Sequence, residues 1–267
     1  MTTAGVAAGR RPTPPALRVL EHRLVLYRRS WRGSAFNSFV SPALFLGSIG
    51  LGLGTYVNAT ASLGVPYVVF LAPGLLAGAA MQTAATEATF PVMAGLVWVR
   101  SFQAMTATPI RPHDIVLGLI ASMAIRITIV ASIFTAVIVA LGAAASPAVV
   151  LGVPAAVLTG LAFAAPIMAF SASQKDTVNF NALFRFGITP LFLFSGTFFP
   201  IDQLPVFVQP VAWLTPLFHG VALSRGLALG TAAAEPLAMV AHAGYLVALT
   251  VAGLAWARAA FRRRLER

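Results

Sequence analysis

Long apolar runs alternate with short polar connections along most of this chain. A helix needs about 20 mainly apolar residues to cross a hydrocarbon core of roughly 30 Å. Six runs of the chain meet that requirement, at residues 36–57, 67–90, 115–141, 148–170, 180–200 and 237–257. The pattern therefore predicts an all-α integral membrane protein with six transmembrane helices.

One further apolar segment, residues 204–230, does not fit a membrane span. Pro205, Pro210 and Pro216 interrupt it, and proline breaks a helix interior because it lacks the backbone N–H and clashes with the preceding turn. The longest remaining run is about a dozen residues, which is too short to cross. We therefore expect residues 201–236 to form an external or re-entrant element, with its backbone covered by protein where it enters the membrane.

A different pattern precedes the first run. Across residues 16–32, apolar side chains recur at alternating spacings of three and four, which places them on one face of a helix, and arginines occupy the rest. The apolar positions are Leu17, Leu20, Leu24, Tyr27 and Trp31. Such a basic amphipathic helix is typical of the membrane interface. Packing on a soluble domain would require such a domain, and the connections are too short to hold one.

The resulting domain organisation has one large unit. Residues 1–15 lack the apolar core of a signal peptide and are expected to form a disordered cytoplasmic tail. Residues 16–32 form the interfacial amphipathic helix, residues 33–257 the six-span transmembrane domain, and residues 258–267 a basic cytoplasmic tail.

Composition and charge support this interpretation and orient it. Hydrophobic residues make up 58% of the 267 residues and charged residues only 9%, against roughly 25% in soluble domains. The net charge of +11 would suit nucleic acid, but its distribution argues against that partner. Seven arginines precede the first span, five follow the last, and the connections at 58–66 and 142–147 carry no charge. By the positive-inside rule, both termini and the second and fourth connections are cytoplasmic.

The cytoplasmic connection between the second and third spans, WVRSFQAMTATPIRPHD at residues 98–114, combines charged with large apolar residues. Helical spacing places Val99, Phe102 and either Met105 or Thr106 on one face of a short helix. A connection without a special role would gain nothing by exposing such side chains to solvent. We therefore expect this helix to dock onto a partner.

Two prolines give this docking helix a rigid support. Pro109 and Pro112 forbid regular helix between them, and Asp114 is placed to cap the next span. The connection is thus a cytoplasmic elbow, in which we expect Phe102 and Met105 to insert into the partner. The candidate docking residues are Trp98, Arg100, Phe102, Met105, Thr106 and Pro109.

Three ionisable residues fall within predicted spans, where they are costly and point to function by default. At 1.5 Å per residue, Glu87 lies about 5 Å inside the cytoplasmic end of its span, Arg185 about 8 Å and Arg126 about 16 Å. Glu87 and Arg185 are therefore matched in depth, and Arg126 should face the protein interior or a wet cavity. A structural ion pair and a role in the substrate path both remain open.

Glycines at a spacing of four occur twice in the predicted spans, as Gly50 with Gly54 and Gly74 with Gly78. This small-xxx-small spacing allows membrane helices to approach closely. The packing partner is either another helix of the same protomer or a second protomer.

Motifs for catalysis are missing from the sequence. It has no phosphate-binding loop ending in GKS or GKT, no GxSxG serine, no HExxH pair and no acidic cluster for magnesium. Ser195 has no oxyanion motif to support a pairing with His242. We expect no catalytic or metal site, and any ATP hydrolysis must occur in another chain.

Three stretches of the sequence resemble a known family. They are residues 70–118, which contain PGLLAGAAMQTAATEATFPVMAG, residues 158–180, LTGLAFAAPIMAFSASQKDTVNF, and residues 189–227, which contain LFSGTFFPIDQLP. They look like the ABC-2 type transport permeases, and are most similar to the nodulation protein J branch, which is associated with lipo-oligosaccharide export. Drug-export permeases of the daunorubicin-resistance type are more distantly similar.

The resemblance implies a six-helix permease that acts as a homodimer or with a related permease chain. It also implies a separate ATPase subunit on the cytoplasmic side, which would hold ATP and magnesium, and a coupling helix that docks into it at residues 98–108. The external re-entrant element would begin at residue 195, and the residues assigned to its start are Ser195, Gly196, Thr197, Phe198, Phe199 and Pro200.

The implied activity is ATP-driven export of an amphipathic cargo, such as a glycolipid or lipo-oligosaccharide, across a bacterial cytoplasmic membrane. Drug or antibiotic efflux by the same family is one alternative. The other is a gradient-driven transporter that works alone, with Glu87, Arg126 and Arg185 as its ion relay.

Overall fold

The structure, a computed structural model, describes residues 14–54, 56–57 and 64–266, and within these ranges it is helical with no strand. The α-helices are α1 Pro15–Phe45, α2 Tyr67–Ala88, α3 Phe90–Met93, α4 Ser101–Thr106, α5 Pro112–Ala140, α6 Gly152–Ser173, α7 Val178–Ala182, α8 Thr189–Phe194, α9 Gln209–Trp213, α10 Pro216–Leu229 and α11 Pro236–Leu265. Turns of π-helix occupy Leu46–Leu53, Ala94–Trp98 and Leu183–Ile188, and 3-10 turns occupy Pro147–Leu151, Ile201–Gln203 and Thr231–Ala233.

Proline and side-chain caps set where the long helices begin. Pro112, Pro216 and Pro236 are the first residues of α5, α10 and α11, a position where the missing N–H costs no hydrogen bond. The Asp114 carboxylate accepts a hydrogen bond from the Arg111 backbone N–H at 3.0 Å, and the Thr215 hydroxyl accepts one from the Phe218 N–H at 3.2 Å. Asp114 therefore caps the helix as predicted, but the helix begins at Pro112 and not at Ile115, and Asp114 is its third residue.

Helix α2 lies at the centre of the bundle and packs against α5, α6 and α10. Most of its side chains are buried, and the exposed ones, Gln82 and Thr86, lie near its C-terminal end. Helix α1 packs against α5, where Val19 is fully buried and lies over Gly118. Helix α11 packs against α6 on the other side of the bundle.

Within the described residues, four helical segments are long and apolar enough to cross a membrane, and they coincide with four of the six predicted spans. They are Tyr67–Trp98, Pro112–Ala140, Pro147–Ser173 and Pro236–Leu265. The region predicted as the fifth span forms a shorter apolar helical segment, Val178–Phe194. The first predicted span, 36–57, falls partly on residues outside the described part of the chain.

Two predicted boundaries were wrong because the helices continue through them. Helix α1 runs without a break from Pro15 to Phe45, whereas the sequence predicted a separate helix at 16–32; a single glycine, Gly33, costs only about 1 kcal/mol in a helix and does not end it. Helix α11 likewise continues to Leu265, so residues 258–265 belong to the last helix. The predicted tail at 1–15 lies almost wholly outside the described residues, and so does the side chain of Trp31.

The predicted interruption of the segment 201–236 is present. The chain forms a 3-10 turn, the short helix α9 and the 14-residue helix α10, with breaks before Pro210 and Pro216. Helix α10 packs against α2 and α6 inside the bundle, so its backbone is covered by protein.

Close approach of α11 to α6 depends on Gly253. A Cβ atom built on Gly253 would lie 2.6 Å from Pro166 Cδ and 2.7 Å from the Pro166 backbone nitrogen. Because these atoms belong to a proline inside a helix, they cannot move away without displacing α6.

We predict that Gly253→Ala lowers the thermal unfolding midpoint of the purified protein in detergent. Forcing a methyl group against backbone atoms typically costs about 1–3 kcal/mol. Gly244→Ala on the same helix is the matched control, since nothing lies within 4 Å of the position that a Cβ atom would take there; alanine at this site should be neutral or stabilising. Equal midpoints for the two variants would show that α11 does not pack this tightly on α6.

Candidate functional site

The elbow between α2 and α5 is built from three short helical pieces. The chain bends at Thr89, passes through α3 and the π-turn Ala94–Trp98, and then reverses at Arg100. Arg100 has a φ of 54°, the sole positive φ of a non-glycine residue in the part of the chain that the structure describes. A left-handed residue of this kind carries strain that the surrounding structure must hold in place.

Phe102 anchors the elbow to the bundle, which corrects its predicted role. The side chain is 1% exposed and its ring centroid lies 6.0 Å from that of Phe261 in α11. A Cβ atom on Gly95 would overlap the Phe102 ring, so the ring occupies the space that a side chain at residue 95 would need. Phe102 is therefore not available to insert into a partner, and a charge at this position would disrupt the elbow itself.

The reason for this error is a change of helical phase at Arg100. The spacing in the sequence placed Val99 and Phe102 on one face of a continuous helix. Because α4 begins only at Ser101, after the left-handed residue, the two side chains do not share a face: Val99 is 72% exposed and Phe102 is buried.

The remaining docking candidates divide between the surface and the interior of the elbow. Trp98 is 60% exposed, and Arg100 and Pro109 are also exposed. Met105 is partly buried against the main core, and the half-buried Thr106 donates its hydroxyl hydrogen bond to the Gln103 carbonyl. The large apolar side chains that the elbow exposes to a partner are thus Trp98 and Val99, which lie next to Arg100.

A hydrogen bond ties the elbow back to its own entry segment. The Gln103 amide Nε2 donates to the Leu96 carbonyl at 2.7 Å. Together with the contact of Phe102 with Phe261, it fixes α4 to both the π-turn Ala94–Trp98 and the end of α11.

Glu87 is the centre of a buried ion cluster near the elbow. Its Oε1 lies 2.8 Å from Arg126 Nη1, and its Oε2 lies 3.7 Å from Arg23 Nη2. The guanidinium of Arg126 also lies over the ring of Tyr27, with 4.6 Å between its carbon and the ring centroid. The cluster joins three helices, α1, α2 and α5.

Arg126 and Glu87 meet although their predicted depths differed. Side chains lean toward the N-terminus of their own helix, so Arg126 leans toward the elbow and Glu87 leans away from it. The two groups therefore close the gap from both sides. Arg185, which the sequence matched in depth to Glu87, is not part of the cluster, because it is exposed on the π-turn Leu183–Ile188 and lies beside the Phe186 ring.

Arg23 is a member of the cluster that was not predicted from the sequence. Burial lowers the pKa of its guanidinium, Glu87 opposes that change, and Arg126 adds to it. A cavity of about 170 Å³ lies beside the cluster and is lined by Arg23, Tyr27, Glu87 and Arg126 among others. The cluster holds two cations around one anion, so its excess charge is positive.

On the far side of the bundle, Arg225 holds the predicted re-entrant segment. Its Nη2 donates to the Gly196 carbonyl at 2.9 Å and its Nε to the Phe70 carbonyl at 3.3 Å, and its guanidinium carbon lies 3.8 Å from the Phe70 ring centroid. Arg225 was not predicted as a site residue. It is the single Lys or Arg between Arg185 and Arg258. A lone cation in so long an apolar stretch was the sequence feature that could have identified it.

The predicted re-entrant residues form a tight turn over α2. The Ser195 hydroxyl lies 2.9 Å from that of Thr215, and the Phe198 carbonyl accepts a hydrogen bond from Tyr67. Gly196 has a φ of 79°, and Thr197 is fully buried. Phe199 and Pro200 continue the turn with partly exposed side chains.

Two histidines join α10 to α11 near this segment. The Nδ1 atoms of His219 and His242 lie 2.8 Å apart, and the His219 ring stacks on Tyr245 at a centroid distance of 3.9 Å. One imidazole must donate and the other accept in such a contact. No group of three or more metal-ligating side chains occurs among the described residues.

The paired glycines have different surroundings. A Cβ on Gly74 would lie 2.8 Å from the Thr197 carbonyl oxygen, and a Cβ on Gly78 would overlap the Phe192 ring. Both contacts are within the protomer. Gly54 has only ordinary contacts, with Tyr67, and the packing of Gly50 lies outside the described residues.

The sequence matches the family model of the ABC-2 type transporter over residues 17–229, which is most of the chain. This chain belongs to the ABC-2 type transporter family. The match and the long apolar helices establish it as a multi-pass membrane protein and as a permease subunit of an ABC exporter.

Relatives of this ABC-2 type transporter are named nodulation protein J. The protein of Rhizobium leguminosarum bv. viciae is 32% identical over 252 residues, which cover 94% of this chain and 95% of the relative. That of Rhizobium meliloti (strain 1021) is 31% identical and covers 87% of each chain, and that of Bradyrhizobium diazoefficiens is 30% identical and covers 93% of each.

We predict that Glu87→Gln in this ABC-2 type transporter lowers the free energy of unfolding by about 1–3 kcal/mol. Two arginines would then face each other without an anion. The loss should be smaller than the 3–5 kcal/mol typical of fully buried pairs, because both arginines keep some contact with solvent. Thermal unfolding in detergent measures the effect.

The double variant Glu87→Gln with Arg126→Gln should be less destabilised than the sum of the two single variants. Arg185→Gln is the control, with an expected change within about 0.5 kcal/mol. Additive losses would refute a pairing of Glu87 with Arg126, and a large loss for Arg185→Gln would contradict its exposed position outside the cluster.

Proposed function

We propose that this permease works with a separate ATPase subunit and a second permease chain to export an amphipathic cargo. The ATPase, which would hold ATP and magnesium, binds at the cytoplasmic elbow. The observation that carries the proposal is that the elbow has one exposed apolar surface and one buried anchor. Trp98 and Val99 are exposed for a partner, while Phe102 is buried and fixed to the bundle.

This arrangement suits the transmission of movement. A conformational change driven by a partner requires contacts that differ between two states, and the exposed apolar pair supplies a surface for them. Movement of the elbow would then reach α2 through the continuous chain and α11 through the contact between Phe102 and Phe261. Six spans, with both termini in the cytoplasm of a bacterium, are part of the same proposal.

For the cargo we propose a glycolipid or lipo-oligosaccharide, on the basis of the likeness to nodulation protein J along nearly the full length of both chains. The ion cluster at Glu87, with its excess positive charge and adjoining cavity, offers polar contacts at one side of the bundle. Comparison of the exported lipids of a deletion strain with those of the complemented strain tests this cargo. Unchanged export of glycolipids together with increased drug sensitivity would favour drug efflux instead.

The structure offers little support for a gradient-driven transporter that works alone. The proposed relay of Glu87, Arg126 and Arg185 is interrupted, since Arg185 lies apart from the other two on an exposed surface. Purification tests this point: a stable complex with an ATP-binding chain supports the exporter, whereas transport driven by a proton or sodium gradient alone would overturn it.

We predict that the double variant Trp98→Asp, Val99→Asp loses its association with the ATPase subunit while keeping its thermal unfolding midpoint. Both side chains are more than half exposed, so the bundle does not depend on them. A pull-down with tagged ATPase measures the association.

A matched control places the same two charges elsewhere. Val206 and Phe207 are 80% and 81% exposed in the segment predicted as external, so Val206→Asp, Phe207→Asp should retain the ATPase. Phe102→Ala should instead lower the unfolding midpoint, because truncating a buried phenylalanine typically costs about 3–5 kcal/mol. Undiminished recovery of the ATPase with the Trp98 and Val99 variant would refute the docking surface.

A further inference from the structure

A basic groove lies where the beginning of α5 meets the end of α11. It encloses about 660 Å³ and is lined by Arg111 and His113 from one side and by Ala255, Arg258, Ala259 and Arg262 from the other. Arg111 and Pro112 also line a second cavity that adjoins the elbow at Thr106 and Pro109. The groove is therefore continuous with the elbow but separate from its exposed apolar pair.

The groove carries an excess of positive charge. Within the described part of the chain, Arg111, Arg258 and Arg262 form no ion pair with a carboxylate. Glu266 is the single acidic residue in the lining. Asp114 is already engaged, because its carboxylate caps α5 through the Arg111 backbone N–H and lies 3.5 Å from His113 Nε2. The N-terminal end of α5 adds the positive end of a helix dipole.

The arginines of the groove in α11 lie at the C-terminal end of an apolar face of that helix. Val247, Val251, Ala255, Arg258 and Arg262 follow one another at spacings of four, four, three and four, which places them on one face. Val247 and Val251 are 48% and 60% exposed. In the most apolar stretch of α11, 11% of the residues are buried inside the protein, compared with 78% in the segment that begins with α2. This face of α11 is therefore open to its surroundings.

We propose that this face and groove bind an anionic phospholipid, with its phosphate held by Arg111, Arg258 and Arg262 and an acyl chain along Val251 and Val247. The face runs from apolar side chains to unneutralised cations, and such a lipid runs from an acyl chain to an anionic headgroup, so the two match along their length. Basic pockets between the cytoplasmic ends of membrane helices are a known kind of lipid headgroup site.

A lipid fits this face better than a soluble protein partner does. Val251 lies eleven residues before Arg262, or about 16 Å along the helix, so a partner that contacts both must reach from the headgroup region into the hydrocarbon. A phospholipid spans that distance in one molecule, and a water-soluble ATPase surface does not.

Lipid retention by the purified permease tests the site without an ATPase or a cargo, so its failure is distinguishable from failure of the proposed function. The protein is placed in nanodiscs with equal parts of phosphatidylcholine and phosphatidylglycerol, and the lipid that stays bound after extraction in detergent is measured by mass spectrometry. We expect phosphatidylglycerol to be enriched over phosphatidylcholine. Arg258→Gln, Arg262→Gln should weaken its retention on the order of ten-fold or more, from two arginines near an anionic headgroup.

The matched control is Arg263→Gln, Arg264→Gln, which removes the same charge from the same helix end but does not alter the groove lining. This variant should retain phosphatidylglycerol like the wild type, and added inorganic phosphate should not displace the lipid. Equal loss in both double variants would show a general effect of surface charge and overturn the site. Displacement by phosphate would overturn the acyl contact, and loss of ATPase binding with unchanged lipid retention would assign the groove to the protein partner.

Discussion

The Glu87 carboxylate sets the arrangement of the helices around the elbow. A carboxylate in apolar surroundings is costly unless it is paired, and here two arginines from two other helices reach it. Arg126 comes from α5, so the ion pair joins the helix that follows the elbow to α2, the helix that precedes it. Arg23 comes from α1, so the same anion also holds the N-terminal helix against the bundle. The contact of Val19 with Gly118 supports that position with apolar packing.

Anchoring of the elbow continues from this cluster to the last helix. Phe102 fills the space above Gly95 and contacts Phe261, and Gln103 binds the Leu96 carbonyl. An element held at both ends moves with the helices that hold it, which is the property required of a coupling element. Its apolar surface, at Trp98 and Val99, is outside these contacts and can be covered without disturbing them.

Much of the architecture could be predicted from the sequence, because apolar length, proline positions and caps act locally. Four long helices and the cap at Asp114 follow from such signals. Features that depend on one backbone angle or on which helices are neighbours could not be predicted. The left-handed Arg100 changed the helical phase and buried Phe102. Depth along a span matched Glu87 to Arg185, but the choice of partner depends on the neighbouring helices and on the lean of each side chain.

Helix α2 connects the ion cluster to the polar contacts on the far side of the bundle. Near its end, Glu87 binds arginines of α1 and α5; near its beginning, in the turn that Pro73 interrupts, the Phe70 carbonyl accepts a hydrogen bond from Arg225. The same guanidinium holds a carbonyl of the far turn, and Gly74 brings that turn against the helix. Because most of α2 is buried, a shift at its elbow end would change its packing toward Arg225. The elbow and the far turn are therefore joined through one helix.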